Sequence, residues 1–375
     1  MKRLECLDGL RGVLAVYVML GHMAPFAMLP DWLIRLLSHG GAAVDVFFIL
    51  SGMVIVQSLE SFSWHARGFL IARMARTYPV YLVMLALAVV VQALPIDFDR
   101  LPWVGADSLA RDIWSVGWPH AWAIELVTHL TMTHGLLPDA VVRGGWVSFL
   151  GSAWSLSTEW QFYLLALWLG MVTGPRRMTQ AFLLLAVAGL LWQSAAPPGL
   201  LFSRAFLPNK AQFFALGIAS AGLLRGATLR HYAMVLLLTL AVCAVERRTE
   251  KLLPPLVWTL CLAAQLRPDL AVLRPLALLL RTRLLLWLGA LSYCIYLTNE
   301  PVQKSLGLLL AACVGGNGVA FTLLWLPSAV LLPVSLSIAL RRWVETPALR
   351  LGRRYARAIA GTTGSEARLQ PVVIP

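Results

Sequence analysis

Residues 41–59 read GAAVDVFFILSGMVIVQSL and hold one charged side chain, Asp45. An apolar run of about 20 residues is long enough to cross the hydrocarbon core of a bilayer as a helix. The whole chain shares this character, since 59% of its 375 residues are hydrophobic and only 13% are charged. Soluble domains average about 25% charged residues. The composition therefore indicates an integral membrane protein.

Apolar runs bounded by charges, proline or glycine predict an all-α bundle of about ten transmembrane helices. The ten predicted spans lie near residues 10–29, 41–59, 69–94, 152–173, 178–196, 207–224, 231–246, 253–266, 284–304 and 319–340. Within the long loop 95–151, residues 113–137 are moderately apolar and rich in Trp, which predicts a re-entrant or interfacial helix. We expect one transmembrane domain over residues 1–357 and a disordered cytoplasmic tail over 358–375.

The distribution of basic residues predicts the orientation of the chain. The net charge of +13 would suggest nucleic acid in a soluble protein, but here it lies in short loops between apolar runs, so we expect no nucleic-acid partner. Short loops rich in Arg and Lys stay on the cytoplasmic side, which places both termini and the loop near Arg176 in the cytoplasm. Arg247, Arg248 and Lys251 break this rule. A full span within 113–137 would invert everything downstream.

The five cysteines fall singly and mostly inside apolar runs, without a CxxC pair or a His cluster at zinc spacing. We therefore expect neither a disulfide nor a bound metal. The cysteines are Cys6, Cys243, Cys261, Cys294 and Cys313.

Ionisable residues inside the first two spans need a functional or structural reason, because a charge at mid-membrane is costly. Arg11 and His22 are eleven residues apart, so they share one helical face and lie roughly 16 Å apart along its axis. Asp45 stands at a depth comparable with that of His22 and is the natural partner for the imidazole. A helical His is more often a packed residue than a catalyst, but in lipid it requires a partner or a water-filled cavity.

Two more polar groups lie in the third and fourth spans. Arg73 and Arg76 share a helical face and are either ordinary cytoplasmic anchors or a fork for phosphate oxygens. Glu159 and Tyr163 are four residues apart in WSLSTEWQFYLL, residues 154–165, and form a polar stripe that implies a cavity.

Taken together, these motifs resemble acyltransferase family 3, whose bacterial membrane proteins acylate surface polysaccharides, lipid-linked sugars and some secreted metabolites. The resemblance covers nearly the whole chain and rests on the order of six stretches. They are LDGLRGVLAVYVMLGH, DVFFILSG, FLIARMARTYPVY, WSLSTEWQFY, LSYCIYLTNEPV and RRWVETPAL. Asn299 stands where many members carry His in Tyr-Leu-x-His, and Trp160 replaces the acid that usually follows Glu159.

The resemblance implies a role for each of the matched residues. His22 corresponds to the catalytic histidine of the Arg-x10-His pair, and Arg73 and Arg76 match the Arg-x-x-Arg motif associated with acyl-CoA. We expect His22 to act as general base, with Asp45 or Glu159 orienting the ring. Arg11 would assist the two arginines in donor binding. Residues expected to line an acceptor site or pocket are Trp154, Ser157, Tyr163, Tyr296 and Asn299.

The expected function is O-acyl transfer, acetyl by default, in the bacterial inner membrane. Acetyl-CoA or another acyl-CoA would be a cosubstrate rather than a bound cofactor. The acceptor would be a sugar hydroxyl of an exopolysaccharide, a lipopolysaccharide O-antigen or a lipid-linked glycan, with polysaccharide-synthesis machinery as a candidate partner. A covalent acyl-histidine relay is a variant of this chemistry. A multi-span transporter would also explain buried ionisable residues, and a purely structural partner would leave the polar stripe unexplained.

Overall fold

A computed structural model of the protein describes residues 4–94, 97–105, 108, 111, 114, 117–173, 175–246 and 249–359. Within these ranges the chain is helical and has no strand, apart from an isolated bridge between Pro138 and Phe202. Arg247 and Arg248, which break the positive-inside pattern, lie outside the described residues. So does the expected tail from residue 360 onward.

Fourteen α-helices are numbered here in chain order over the described residues. They are α1 Glu5–Met23, α2 Asp31–Leu37, α3 Gly40–Ser61, α4 Ala66–Gln92, α5 Trp122–Leu130, α6 Trp154–Thr173, α7 Pro175–Ala195, α8 Ala211–Leu224, α9 Leu229–Val245, α10 Leu253–Leu266, α11 Arg274–Leu280, α12 Arg283–Val314, α13 Gly318–Leu340 and α14 Thr346–Ile359.

Five helical segments are long and apolar enough to cross a membrane, and a sixth arises if α11 and α12, bent by 58° at their junction, form one span. The five are Glu5–Phe26, Asp31–Ser61, Ala66–Gln92, Arg177–Ala195 and Gly318–Ile359. Each of the ten predicted spans coincides with a helix, but several of these helices are short. The structure thus supports five or six spanning helices, and the number ten stays a prediction.

The long loop before α6 contains α5, a helix of nine residues. At 1.5 Å per residue such a helix is about 13 Å long, which is less than half the hydrocarbon thickness of about 30 Å. Among the described residues of the predicted segment 113–137, the chain therefore has a short helix and no full span.

Glycine brings α1 and α12 into close backbone contact. A Cβ on Gly12 would lie 2.5 Å from the carbonyl oxygen of Leu285, and one on Gly289 would lie 2.0 Å from that of Asp8. One on Gly9 would lie 1.8 Å from the carbonyl oxygen of Leu280, the last residue of α11. Small residues at helix crossings are a common way of packing helices in lipid, where apolar burial between helices gains little. This contact fixes the register of the two helices that carry most of the polar groups described below.

The same device joins α3 to α8. A Cβ on Gly52 would lie 2.4 Å from the carbonyl oxygen of Phe214, and one on Gly217 would lie 2.0 Å from that of Ile49. Gly52 and Gly217 thus let α3 and α8 approach each other closely.

At its end, α13 continues through one π-helical turn, Arg341–Glu345, into α14. Such turns contain one extra residue per turn and are found frequently at functional sites. The turn rotates α14 so that it packs against α4, where Gly352 faces Ala75. The carboxyl group of Glu345 is buried at this turn.

Candidate functional site

A polar cavity lies at the centre of the bundle among α1, α3, α4, α6 and α12. It encloses, together with its opening, about 790 Å³. The structure brings six residues singled out in the sequence to its wall. They are Arg11, Arg73, Arg76, Glu159, Tyr163 and Tyr296. Residues from five separate stretches of the chain therefore converge on one site.

Two of the three arginines are held by serine hydroxyl groups. The Arg11 guanidinium donates to Ser292 Oγ at 2.8 Å, and that of Arg73 donates to Ser58 Oγ at 2.6 Å. The Arg73 guanidinium also lies 5.3 Å from the ring centroid of Tyr163, a cation–π distance. Because a hydroxyl group is neutral, these two contacts do not cancel the guanidinium charge, and both side chains can bind an anion.

Arg76 has an acidic partner. Its guanidinium forms an ion pair with the Glu345 carboxylate in the π-helical turn and lies 5.0 Å from the ring centroid of Tyr293. The thiol of Cys294 donates to the other carboxylate oxygen of Glu345 at 3.3 Å. Arg76 therefore links the cavity wall to the junction between α13 and α14.

Glu159 accepts hydrogen bonds from the hydroxyl groups of Ser51 on α3 and Tyr163 on its own helix. The polar stripe predicted from the spacing of Glu159 and Tyr163 is thus a direct contact, and both residues line the cavity. Among the described contacts the carboxylate bonds these two hydroxyl groups, while the His22 ring bonds Asn299, so the expected orientation of the histidine ring by Glu159 stays a prediction.

The ring of His22 is held by Asn299. Its Nδ1 lies 2.6 Å from Asn299 Oδ1, while Asn299 Nδ2 donates to the carbonyl oxygens of Ile295 and Tyr296 at 3.0 and 2.7 Å. These two donated bonds fix which amide atom faces the imidazole, and a carbonyl oxygen can only accept. Nδ1 therefore carries the proton, and a neutral ring has its lone pair on Nε2.

Asp45 was expected to pair with the imidazole, and this pairing is wrong for the structure. The Asp45 carboxylate accepts from Lys210 Nζ at 2.6 Å, and both groups are buried. Lys210 lies at the start of α8, which packs against α3, and its ammonium also lies 5.6 Å from the Trp154 ring centroid. The buried ammonium of Lys210 pairs with the Asp45 carboxylate because either charge, left unpaired at this depth, would cost several kcal/mol.

The remaining predicted pocket residues fall into two groups. Tyr296 lines the cavity, where its hydroxyl contacts Ser155 Oγ and the carbonyl oxygen of Ser152, both at 2.8 Å. Ser157 is fully buried and accepts from the backbone N–H of Gly135 at 3.0 Å. Trp154 is buried against Phe48 and the Arg204 guanidinium. Ser157 and Trp154 therefore position the start of α6.

Helix α12 connects the cavity to His22. Ser292 bonds Arg11, Tyr296 lines the cavity one turn further along, and Asn299 bonds His22. Asn299 lies seven positions after Ser292, which is about 10 Å along the helix. The two contacts between α1 and α12 thus hold the arginine cavity and the histidine at fixed depths.

A second and wider cavity, of about 1290 Å³, lies along the next turn of α12. Glu300 lines it and accepts from the backbone N–H groups of Gly151 and Ser152 at 3.1 and 2.5 Å, and Lys304 donates to Gln92 Oε1 at 2.9 Å. Its other polar and aromatic residues include Trp118, His120, Glu125, Arg143 and Ser148. Glu300, which lines this cavity, directly follows Asn299, which bonds His22. Adjacent residues of α12 therefore contact the cavity and His22.

Two buried histidines lie near this cavity. The rings of His129 and His134 stack with centroids 4.1 Å apart, and His129 Nδ1 lies 2.8 Å from the Glu125 carbonyl oxygen. Burial lowers the pKa of His129 to about 4, and burial and the charge of His129 together lower the pKa of His134 well below its usual value. Both rings are therefore neutral at pH 7. Within the described residues, no three His, Cys, Asp or Glu side chains converge as metal ligands would.

Sequence reasoning missed the partners that hold the site residues. Ser51, Ser58 and Ser292 are ordinary helix residues by pattern, and their contacts arise from helices that meet only in the folded bundle. Glu345 could have been suspected, since an acid within the basic stretch RRWVE, residues 341–345, is out of place.

Comparison with known proteins identifies the family of the chain. A family model described as an acyltransferase domain matches residues 4–342. "Acyltransferase MdmB" of Streptomyces mycarofaciens is 30% identical over 182 residues, which is 45% of this chain and 40% of that protein. "Protein 2 in picA locus" of Rhizobium radiobacter is 30% identical over 200 residues, 52% of this chain and 95% of that protein. The chain thus spans less than half the length of the Streptomyces relative. No solved structure matches it.

Proposed function

The chain belongs to acyltransferase family 3, and we propose that it transfers acyl groups other than aminoacyl groups, O-acylating a sugar from acyl-CoA across the bacterial inner membrane. The acyl group is acetyl by default. The acceptor is a hydroxyl group of an exopolysaccharide, an O-antigen or a lipid-linked glycan.

The observation that carries this proposal is the contact between His22 and Asn299. Because Asn299 accepts from Nδ1, the basic lone pair of the neutral ring lies on Nε2. A positioned neutral imidazole with a free ring nitrogen is suited to general base catalysis. In our mechanism, Nε2 takes the proton of the sugar hydroxyl as its oxygen attacks the thioester carbonyl. The C–S bond breaks, and the thiolate of coenzyme A takes the proton back from the imidazolium.

The arginine cavity supports acyl-CoA as the donor. Arg11, Arg73 and Arg76 present guanidinium groups on one wall, and guanidinium groups bind phosphate oxygens in a bidentate manner. The thioester arm would run from this cavity past Tyr296 toward His22. The axial distance of roughly 16 Å between Arg11 and His22 is within the reach of an extended pantetheine arm.

The second cavity supports an acceptor that is a sugar. It combines tryptophan rings with carboxylate, amide and ammonium groups along the turn of α12 next to Asn299, and sugars present both apolar ring faces and hydroxyl groups. We place the acceptor there, with its reacting hydroxyl directed toward His22.

The proposed orientation follows the positive-inside rule. Ten spans over a single domain, residues 1–357, would place both termini and the arginine end of the cavity in the cytoplasm. His22 and the second cavity would lie toward the outer face. Enzymes of polysaccharide synthesis are the proposed partners.

The test is release of coenzyme A by the purified protein, reconstituted in lipid nanodiscs with acetyl-CoA and with or without a host glycan extract. Wild-type protein should release coenzyme A only when the acceptor is present, and His22→Ala should release none at equal protein abundance. Full release by His22→Ala would refute the general base. Release of one equivalent without acceptor would indicate the acyl-histidine relay.

A further inference from the structure

Lys304 is a buried cation in the wall of the second cavity. Its side chain lies on α12 and is only 7% exposed. The ammonium donates to Gln92 Oε1 at 2.9 Å, and no carboxylate of the described residues forms an ion pair with it. An ammonium has three N–H donors, and a neutral amide does not cancel its charge. Lys304 can therefore still bind an anion.

The sequence offers Lys304 an acid, but the structure directs that acid elsewhere. Glu300 precedes Lys304 by four positions on α12, a spacing at which Glu and Lys commonly form an ion pair. The Glu300 carboxylate instead accepts from the backbone N–H groups of Gly151 and Ser152 at 3.1 and 2.5 Å. Both side chains line the cavity without bonding each other. The cation of this pair is thus left to a ligand.

The other lining residues of the cavity suit a sugar. Glu125 is buried, and within the described ranges its carboxylate has no hydrogen-bond or ion-pair partner. A carboxylate accepts hydrogen bonds, and sugar hydroxyl groups donate them. Trp118 is half-exposed and presents an aromatic ring, and the exposed Arg143 adds a second cation. A ligand that uses all these groups has hydroxyl groups, an apolar ring face and a negative charge.

We propose that the acceptor is an anionic sugar and that Lys304, assisted by Arg143, binds its negatively charged group. This rests on the proposed use of the second cavity for the acceptor. Lys304 lies five positions after Asn299, about 7.5 Å along α12, which is close to the width of one sugar ring. With the reacting hydroxyl at His22, the anion lies on the same sugar or on its immediate neighbour. The carboxylate of a uronic acid and the diphosphate of a lipid-linked sugar both supply this chemistry.

The experiment measures coenzyme A release by full-length protein in phosphatidylcholine nanodiscs with acetyl-CoA and a subsaturating host glycan extract. One portion of the extract is untreated, one has its carboxyl groups reduced to alcohols, and one has its sugar diphosphates cleaved by mild acid. One of the two treatments should lower the wild-type rate at least about tenfold, because hydrogen bonds to charged groups are stronger than those between neutral groups. The effective treatment identifies the anion as a carboxylate or a diphosphate.

Variants of Lys304 assign the effect to this side chain. Lys304→Gln should raise the KM for the untreated acceptor and reduce its advantage over the effectively treated extract to about twofold or less. Lys304→Arg keeps the charge and should retain most of the advantage. Arg100→Gln is the matched control, because it removes an exposed cation of the same long loop that bonds Asp97 and does not line the cavity. It should keep the full wild-type advantage.

Each other outcome has a distinct meaning. Equal wild-type rates with all three extracts would overturn the anionic acceptor and leave the proposed acyl transfer standing. A full advantage in Lys304→Gln, or an equal loss in Lys304→Gln and Arg100→Gln, would overturn the assignment to Lys304. If wild-type protein releases no coenzyme A with any extract, the proposed function itself is wrong. Tryptophan fluorescence on heating establishes that the variants are folded.

Discussion

Asn299 accepts a hydrogen bond from the Nδ1 of His22 across the contact between α12 and α1, with 2.6 Å between the two atoms. The amide is itself fixed by two backbone carbonyl oxygens of α12. Ring orientation, which the sequence led us to assign to an acid, therefore rests on a neutral side chain. The ring gains a defined tautomer from an amide oxygen that carries no formal charge.

Replacement of Asn299 tests this relationship. Asn299→Leu should lower acyl transfer about 10- to 100-fold at every pH, because the ring loses its fixed orientation. Asn299→Asp retains an acceptor but adds a negative charge that favours the imidazolium, so activity should be lost at a higher pH than in the wild type. The pH dependence of the transfer rate measures both effects. Identical profiles for wild type and Asn299→Asp would show that the ring is not the titrating base.

Glu159→Gln should cost much less activity than His22→Ala. The amide oxygen of Gln can still accept from Ser51 and Tyr163, and the carboxylate of Glu159 contacts these hydroxyl groups rather than the imidazole. We expect a loss within about tenfold, whereas loss of a general base typically costs about 10²- to 10⁴-fold. Coenzyme A release at saturating donor is the measurement. An inactive Glu159→Gln protein would make the acid a participant in proton transfer.

Arg73→Ala combined with Arg76→Ala should raise the KM for the donor strongly, and Lys at both positions should rescue it only in part. Lysine keeps the charge but loses the planar fork. Arg76→Ala would leave the Glu345 carboxylate buried and unpaired, which costs about 3–5 kcal/mol of stability. The double Ala variant should therefore also carry Glu345→Gln. Arg67→Ala, at an exposed position of α4, is the control. If the variant has the same donor KM as the wild type, both arginines are membrane anchors and do not bind the donor.

The stacked histidines predict a loss of stability in acid. Burial lowers the pKa of His129 from the ordinary 6.5 to about 4, so the unfolded chain binds the proton more readily than the folded one. Stability is therefore retained above pH 6.5 and falls as the pH drops toward 4, by up to about 3 kcal/mol. Unfolding temperatures between pH 7.5 and 4 would show this slope. His129→Phe should flatten it, and an unchanged slope would contradict the assignment.

Cysteine labelling tests the orientation. In a background in which the exposed Cys313 is replaced by Ser, Asp99→Cys should react with a membrane-impermeant maleimide in intact cells. Arg230→Cys, which is equally exposed, should react only after the membrane is opened. The reverse pattern would place the arginine cavity on the outer side and invert the direction of acyl transfer.

The sequence predicted the polar residues of the site better than their partners. The eleven-residue spacing of Arg11 and His22 predicted a shared face and an axial distance from helix geometry alone, and both residues lie in one helix, α1. The pairing of His22 with Asp45 failed because matching depth does not determine which helices are adjacent. In the structure Asp45 pairs with Lys210 at the start of α8. His22 instead bonds Asn299, which lies 277 positions away in the chain. Helical contacts at that separation are set by packing, which single-sequence patterns do not encode.

The interlocked glycines of α1 and α12 have a mechanical consequence. With Gly12 and Gly289 against carbonyl oxygens of the opposite helix, and Gly9 against that of Leu280 at the end of α11, neither helix can slide along the other without a collision. Lipid bilayers of different thickness can tilt such a pair, but they cannot stretch it. The distances between the residues along the reaction path therefore do not change with the composition or temperature of the surrounding lipid.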